Sequence, residues 1–499
     1  MSRTKEGHIW TAQIGSKTGM ETIGAIIPPQ SYPHGHSEVF DAIVIGAGYA
    51  GLVATRDLTI QGHSTLLIEA RDRIGGRTYN GIVDGFNYEM GGTWVHWSMP
   101  HFYREMSFYN MQADFIVSQT PGGKHDYFTL NSESGTTTMS HAEEAKLFGK
   151  VWGLFCDVDG VQATAAMPYP FDSRQNRETT AYLDKVSCQQ RLDQIRERLT
   201  HEEMAMLKAI LLQMGGGPLD RMGLLDAIRW WALGNWTGTG LNDIGLRYRL
   251  KDGQSSFARK IFDHSKATSK LSYAFSTPVQ QVTEKGGMVT VTSRTGQTFK
   301  CRKLICTVPL NVLASINFTP PLPSLKIMAS QEGSTNHCNK VHFDVAGADL
   351  ISWSAMSNPG RGVICALSDN LTPAGDTHIV TFGPSPSLKN GIRLQDGIQP
   401  IKGSLEHILP EGQVIKKIVY HDWNTDEFAK GTWCYLPPKF VESYLDALRK
   451  PHGNISFASA DWSDGWRGWI DGAIQEGTQA AKSVVEELRA SKEKPRSHL

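Results

Sequence analysis

The apolar run from Phe40 to Ile45 gives way to GAGYAG, then to a segment whose apolar residues recur with helical spacing. A second apolar run, Thr65 to Ile68, ends on Glu69. This order predicts strand, glycine loop, helix and strand, the opening unit of a doubly wound parallel sheet that binds a dinucleotide. Gly46, Gly48 and Gly51 take the three glycine positions of G-x-G-x-x-G, and Tyr49 and Ala50 stand between the last two. The first glycine permits a tight turn, the second lets the backbone approach a pyrophosphate, and the third lets the helix lie close to the strand. The helix start offers free N–H groups and a positive dipole end to the phosphates. Glu69 stands where such a unit puts the acid for a ribose hydroxyl.

Residues 1–37 are polar and rich in Pro, Gly and His, and are expected to form a surface arm. Helical spacing returns over 141–156 and 187–214, and GGGP at 215–218 breaks it. The stretch 222–236 carries Trp230, Trp231 and Trp236, expected as core more than as pocket lining. Alternating runs after Leu271, with turns at Gly286-Gly287 and Thr295-Gly296, predict a small meander leading into a buried strand from Leu304 to Thr307. Further strands are expected at Lys340 to Val345, Ile379 to Phe382 and Ile455 to Asp461. A turn, GWRGW, then runs into a long amphipathic helix whose Gly472, Ala473 and Gly477 allow close packing.

The 499 residues are 40% hydrophobic and 20% charged, ordinary for a globular protein and enough for more than one domain. Lys+Arg and Asp+Glu are both 50, so nothing in the charge points to nucleic acid. The seven cysteines show neither CxxC nor metal-ligand spacing, so reduced thiols and no metal site are expected. No run approaches the roughly 18 apolar residues of a membrane span, and MSRTKEGHIW has no signal-peptide core. The end, Ser497-His498-Leu499, is similar to the peroxisomal S-K-L address. A peroxisomal location is therefore expected, the cytoplasm otherwise, and a homo-oligomer is left open.

A lone glycine signature leaves NAD and FAD undecided. The string EARDRIGGRT, with Glu69, Ala70, Arg71, Gly76 and Arg77, sharpens it. GGTWVHW, with Gly92, Thr93 and Trp94, follows, then PVQQV with Val279, KGTW and GWIDGAIQEG. In this order the motifs resemble those of the flavin monoamine oxidases over nearly the whole chain, the soluble fungal members above all. The resemblance implies non-nucleic-acid partners, a small-molecule amine and O2. It implies an α/β fold with two interleaved domains: an FAD domain from 38–100, 246–320 and 421–499, and an α+β substrate domain from 101–245 and 321–420. The second would carry a six-stranded sheet. Carried over residue by residue, Glu69 would hold the adenosine ribose, and Arg71 and Arg77 would sit near the phosphates. Val279 would meet the adenine end, and Asp461 the ribityl–pyrophosphate segment. Ile470 would face the flavin pyrimidine, and Trp423 the dimethylbenzene side. Trp433 and Trp469 match the paired aromatics before the flavin's reactive face.

Two departures stand out. The tethering cysteine of the mammalian enzymes is replaced by Thr432, and Cys434 falls on the wrong side of Trp433, so non-covalent FAD is expected. The lysine that holds a water against flavin N5 falls near ASINF, where Ser315 stands. The function implied is oxidation of primary amines to imine and aldehyde, with ammonia and H2O2. No general base is assigned; His96 and His337 are candidates by type alone. Two alternatives stay open. An L-amino-acid or polyamine oxidase would need a cationic clamp or a row of acids. A non-catalytic flavin-binding module would not need Trp433 and Trp469.

Overall fold

Buried on both faces, the apolar strands Val39–Ile45 and Thr65–Ile68 pair in parallel and are joined by the helix Tyr49–Ile60. Leu271–Ala274 extends the sheet on one side, and Thr298–Cys306 and then Ile455–Phe457 on the other, all parallel. The register sets Ile45 beside Ile68 and Cys306, Ile68 beside Ala274, and Cys306 beside Phe457. The carboxyl ends of these strands therefore share one edge, where an open parallel sheet places its ligand. The meander follows as expected, Val279–Lys285 and Met288–Ser293 running antiparallel into Thr298–Cys306. The computed structural model describes residues 2–32, 39–172 and 177–493. The expected address Ser497–Leu499 and part of the expected arm lie outside them.

Two close approaches fix this domain. A Cβ on Gly51 would stand 1.8 Å from the carbonyl oxygen of Gly46, so only glycine lets the helix follow its loop so tightly. The C-terminal helix Ile470–Glu493 crosses the same helix at Gly477, where a Cβ would stand 2.2 Å from Ala50 O.

The second sheet has 11 strands, not the six that the resemblance implied. Asn339–Val345, Thr377–Gly383, Cys365–Leu371, Ser354–Ser357 and Ile415–Tyr420 form its middle. Beside these five, two strands come from each of the hairpins 80–89 and 128–139 and two from the chain's beginning. The expected surface arm is in fact two strands, Arg3–Thr11 and Gly15–Glu21, with Arg3–Thr11 paired to Ile415–Tyr420. Ile9 and Met20 supply the apolar face and pack with Tyr79, Tyr88 and Trp423. On the other face Trp10 packs against the core of the 11-stranded sheet, while the remaining positions are mostly polar, which hid the strands. The hairpin 80–89 joins this sheet beside Glu21, although its residues fall within the segment read as dinucleotide domain.

Helices His141–Cys156, Cys188–Ile195 and His201–Gly215 each begin with a capping box: Ser140 with Glu143, Ser187 with Gln190, Thr200 with Glu203. They pack with Leu224–Leu233 into a core continuous with that of the parallel sheet. Among the described residues no helix is long and apolar enough to cross a membrane.

Candidate active site

A cavity follows the carboxyl edge of the parallel strands: Gly46, Glu69, Thr277, Thr307 and Ser459, each just past a strand end, all line it. Gly46 turns the chain at φ 104°, in the region that favours glycine. Gly48 is the N-cap of the first helix and offers no side-chain cap, so the first-turn amides at Tyr49 and Ala50 lie at the cavity without intrahelical acceptors. Glu69 accepts the N–H of Ala47 at 2.6 Å and of Arg71 at 2.9 Å, while burial pushes its carboxyl up. Ala70, Gly76 and Val279 line the same stretch.

The arginines are less free than the motif suggested. Arg71 lines the cavity but is tied to Asp426 at 2.6 Å and Glu6 at 2.9 Å. Arg77 donates to Thr432 O and to Asp461 Oδ1, both at 2.7 Å. Asp461, expected to meet the cofactor, does not line the cavity. The strand stops at Phe457 and a 3-10 turn draws Asp461 behind the wall, where its second oxygen accepts from Leu310 N at 2.8 Å. It holds Arg77 in place instead. Gly51 likewise packs beneath the loop and not on the cavity. Sequence reasoning missed Arg294, which lines the rim paired to Glu427 at 2.7 Å.

The middle of the cavity is bounded by Gly92, Thr93 and Trp94, by Trp423, and by Ile470 at the start of the C-terminal helix. Trp423 is fixed through Nε1–H to Met90 O at 2.8 Å. Here the expected loss of the lysine is corrected. Ser315 does line the cavity, bonded to Lys430, but a buried lysine is present as Lys340 on the strand Asn339–Val345. Its Nζ donates to Gly91 O at 2.9 Å and to Thr93 Oγ1, and stands 5.1 Å over the Trp94 ring. Burial pushes the Lys340 ammonium below the usual lysine range and the nearby Glu89 carboxyl above its own.

The far end lies among helices. Trp433 is held by Nε1–H to Met214 O at 2.7 Å and packs edge-on to Phe382. Trp469 packs on Trp230 at 5.0 Å and on Trp466 at 5.4 Å. Trp230 was expected as core, yet it lines the cavity; Trp231 and Trp236 do not. Phe148, Ile210, Gln213, Met214 and Leu241 complete this end. His96 is engaged by Asp243 and Ser98, and His337 by Asn424; neither lines the cavity. Cys434 is fully buried with Sγ directed at Asp461 O, 3.4 Å away, while Thr432 faces the cavity.

These residues fit FAD. A glycine-walled loop and a helix start suit a pyrophosphate, and a second helix start, at Ile470, suits an electron-rich ring edge at the other end.

The family model described as flavin containing amine oxidoreductase matches residues 49–485. Pseudooxynicotine dehydrogenase from Pseudomonas sp is 29% identical over 452 residues, covering 90% of this chain and 87% of its own. Nicotine dehydrogenase from Pseudomonas putida is 28% identical over 457 residues, covering 90% and 89%. Among solved structures, wild-type putrescine oxidase bound to putrescine superposes with TM-score 0.71 at 21% identity, over 90% of this chain and 99% of that one. Cyclohexylamine oxidase from Brevibacterium oxydans IH-35A gives 0.72 at 20% identity, over 91% and 100%. Its cofactor being FAD, the chain belongs to the family of flavin-containing amine oxidoreductases.

Proposed function

We propose that the chain oxidises a small, largely apolar monoamine. The observation that carries this reading is the wall of the far end: Trp230, Trp433, Trp469, Phe148, Phe382 and Met214, with neither a carboxylate nor an arginine there among the described residues. Of the charged lining groups, Glu69, Arg71, Arg77, Arg294, Glu427 and Lys430 belong to the loops at the dinucleotide side, and Lys340 to the strand at the middle of the cavity. A second ammonium, as in a diamine, would meet no acid, and a substrate carboxylate no guanidinium.

Bound FAD would take a hydride equivalent from the carbon beside nitrogen, giving an imine that water converts to aldehyde and ammonia. The chain's own residues choose the reactive form. An alkylamine has a pKa near that of lysine, about 10.4, so roughly one molecule in a thousand is neutral at pH 7.4. The ammonium has no lone pair to assist hydride loss. Indole faces attract it by about 0.5–2 kcal/mol, while an apolar pocket disfavours charge by up to about 3–5 pKa units. Desolvation wins, so the cage of Trp433 and Trp469 receives the neutral amine and aligns it. Lys340 has three N–H groups as an ammonium; two are spent on Gly91 and Thr93, which leaves one for a water in the cavity.

The test follows flavin reduction anaerobically against pH with benzylamine and a short alkylamine. Wild type is expected to reduce faster as pH rises through an apparent pKa below that of the free amine. Trp433→Ala and Trp469→Ala should keep FAD and slow reduction on the order of tenfold or more. Unchanged rates in both variants would remove the cage. The names of two relatives favour a second reading of the electron acceptor, dehydrogenase instead of oxidase. O2 uptake with H2O2 release marks the oxidase; turnover with an artificial acceptor alone marks the dehydrogenase.

A further inference from the structure

The helix wall of the apolar end carries a polar side chain with no hydrogen bond among the described residues. Gln213 lies on the helix His201–Gly215, on the same face as Ile210 and Met214, three residues after the first and one before the second. All three line the cavity. Gln213 is only 9% exposed, and its carboxamide finds no partner among the described residues. The amide is not sealed off but opens on the cavity, so its hydrogen bonds go to whatever fills it, and an apolar occupant there leaves it unpaired at a cost of about 1–3 kcal/mol. Its neighbours give it a fixed place: the carbonyl of Met214, next in sequence, holds Trp433 Nε1 at 2.7 Å. The amide thus projects from the same helical turn that anchors one wall of the cage. Phe148, Ile210, Trp230, Leu241 and Asn242 line the same cavity; the Trp230 indole N–H is itself enclosed and unpartnered, and Asn242 follows Leu241 in the chain.

We infer that Gln213 is a specificity-determining residue that hydrogen-bonds one neutral polar atom of the substrate, such as a ring nitrogen, hydroxyl or carbonyl oxygen, in an otherwise apolar amine. This rests on the amine-oxidising reading and adds to it. An amide can donate and accept, and it carries no charge, so it selects a neutral group and not a second ammonium. A site built around a hydrogen bond rejects an analogue that lacks the polar atom, because its own group is then left unpaired.

Two matched pairs test this on the FAD-loaded protein. The first is 3-(aminomethyl)pyridine and benzylamine, which differ by one ring nitrogen, read as the ratio of kcat/KM. The second is 3-pyridinemethanol and benzyl alcohol, which have no amine, read as Kd from the perturbed flavin absorption. Wild type should bind the pyridyl alcohol more tightly; equal or weaker binding overturns the inference. Gln213→Leu should lower both pyridyl-to-phenyl ratios by up to about tenfold, in part by improving the phenyl compounds, whose binding no longer leaves an amide unpaired. The change in the ratio between proteins cancels the difference in basicity of the two amines. Gln213→Met is the second variant, should leucine impair folding. Ratios unchanged in either folded variant overturn the assignment. If wild type oxidises neither amine, the amine-oxidising reading fails, while the alcohol pair still decides the role of Gln213.

Discussion

Asp226 joins the far end of the cavity to the turn that carries Trp469. It is 2% exposed and binds Arg229 at 3.2 Å and Arg467 at 2.8 Å through one oxygen, and Leu436 N at 2.8 Å through the other. Arg229 in turn donates to Gly465 O, at the entry to the turn that bears Trp466 and Trp469. Both guanidiniums are 1% exposed, and Arg467 Nε and Nη2 have no hydrogen-bond partner. Two buried cations therefore depend on one carboxylate, which their charge holds below the usual carboxylate range despite burial. Removing one member of a buried ion cluster leaves charge uncompensated and costs about 3–5 kcal/mol. Asp226→Asn should lose that much, measured by urea unfolding of the FAD-loaded protein. Asp226→Asn with Arg467→Met should recover part of it, because one orphaned cation is then gone. A single variant as stable as wild type would show that the cluster is not held by its charge.

At the scale of elements, the C-terminal helix is set by an acid at its first turn. Asp471 is fully buried, accepts Phe102 N at 2.8 Å through one oxygen, and leaves the other unpartnered. Burial raises its carboxyl to about 7 from an ordinary 3.8. The folded state thus binds the proton more tightly than the unfolded one. That contribution is complete below about pH 4 and is lost as pH rises through 7. Asp471→Asn keeps an oxygen for Phe102 and does not ionise. Its stability relative to wild type should climb between about pH 4 and 7, by up to about 4 kcal/mol, and then level off. A difference flat across that window would show that Asp471 is not protonated in the native protein. Asp471 was not read in the sequence, since its partner, Phe102, is remote along the chain. What was legible there was local: the glycine loop, the helical spacing over 141–156 and 187–214, and the apolar runs that became buried strands. Lys340 shows the limit. In CNKVHFDV a lysine on a strand reads as its solvent face, but here both faces are covered, so it is buried. Gln213 and Trp230 lay hidden for a related reason. Helical spacing gives a buried face, and only the packing of helix on sheet divides that face into core and cavity lining. The strands at 3–21 were missed because Ile9, Trp10 and Met20 are their only apolar residues and show no alternation among the polar ones.

At the scale of the molecule, the cavity is where both sheets and the helices meet, so a bound cofactor touches all of them. Gly46 and Glu69 come from the parallel sheet, Lys340 and Phe382 from the 11-stranded one, and Trp230 and Gln213 from the helices. FAD that binds only the folded chain stabilises it by mass action, about 2.7 kcal/mol at a hundredfold excess over Kd. A covalent link would remove that dependence on free FAD, and the cavity offers little to make one. None of the seven cysteines and no histidine lines it among the described residues. Cys434, two residues from Thr432, is enclosed, and burial pushes its thiol up, away from the nucleophilic thiolate. The flavin should therefore be held without a covalent bond. Acid precipitation is expected to leave a colourless pellet and free FAD in the supernatant. Protein stripped of flavin should melt at a lower temperature, and the melting temperature should rise with each increment of added FAD. A pellet that stays yellow would show a tether. A melting temperature indifferent to FAD would show that the cofactor does not bridge the parts of the molecule that surround it.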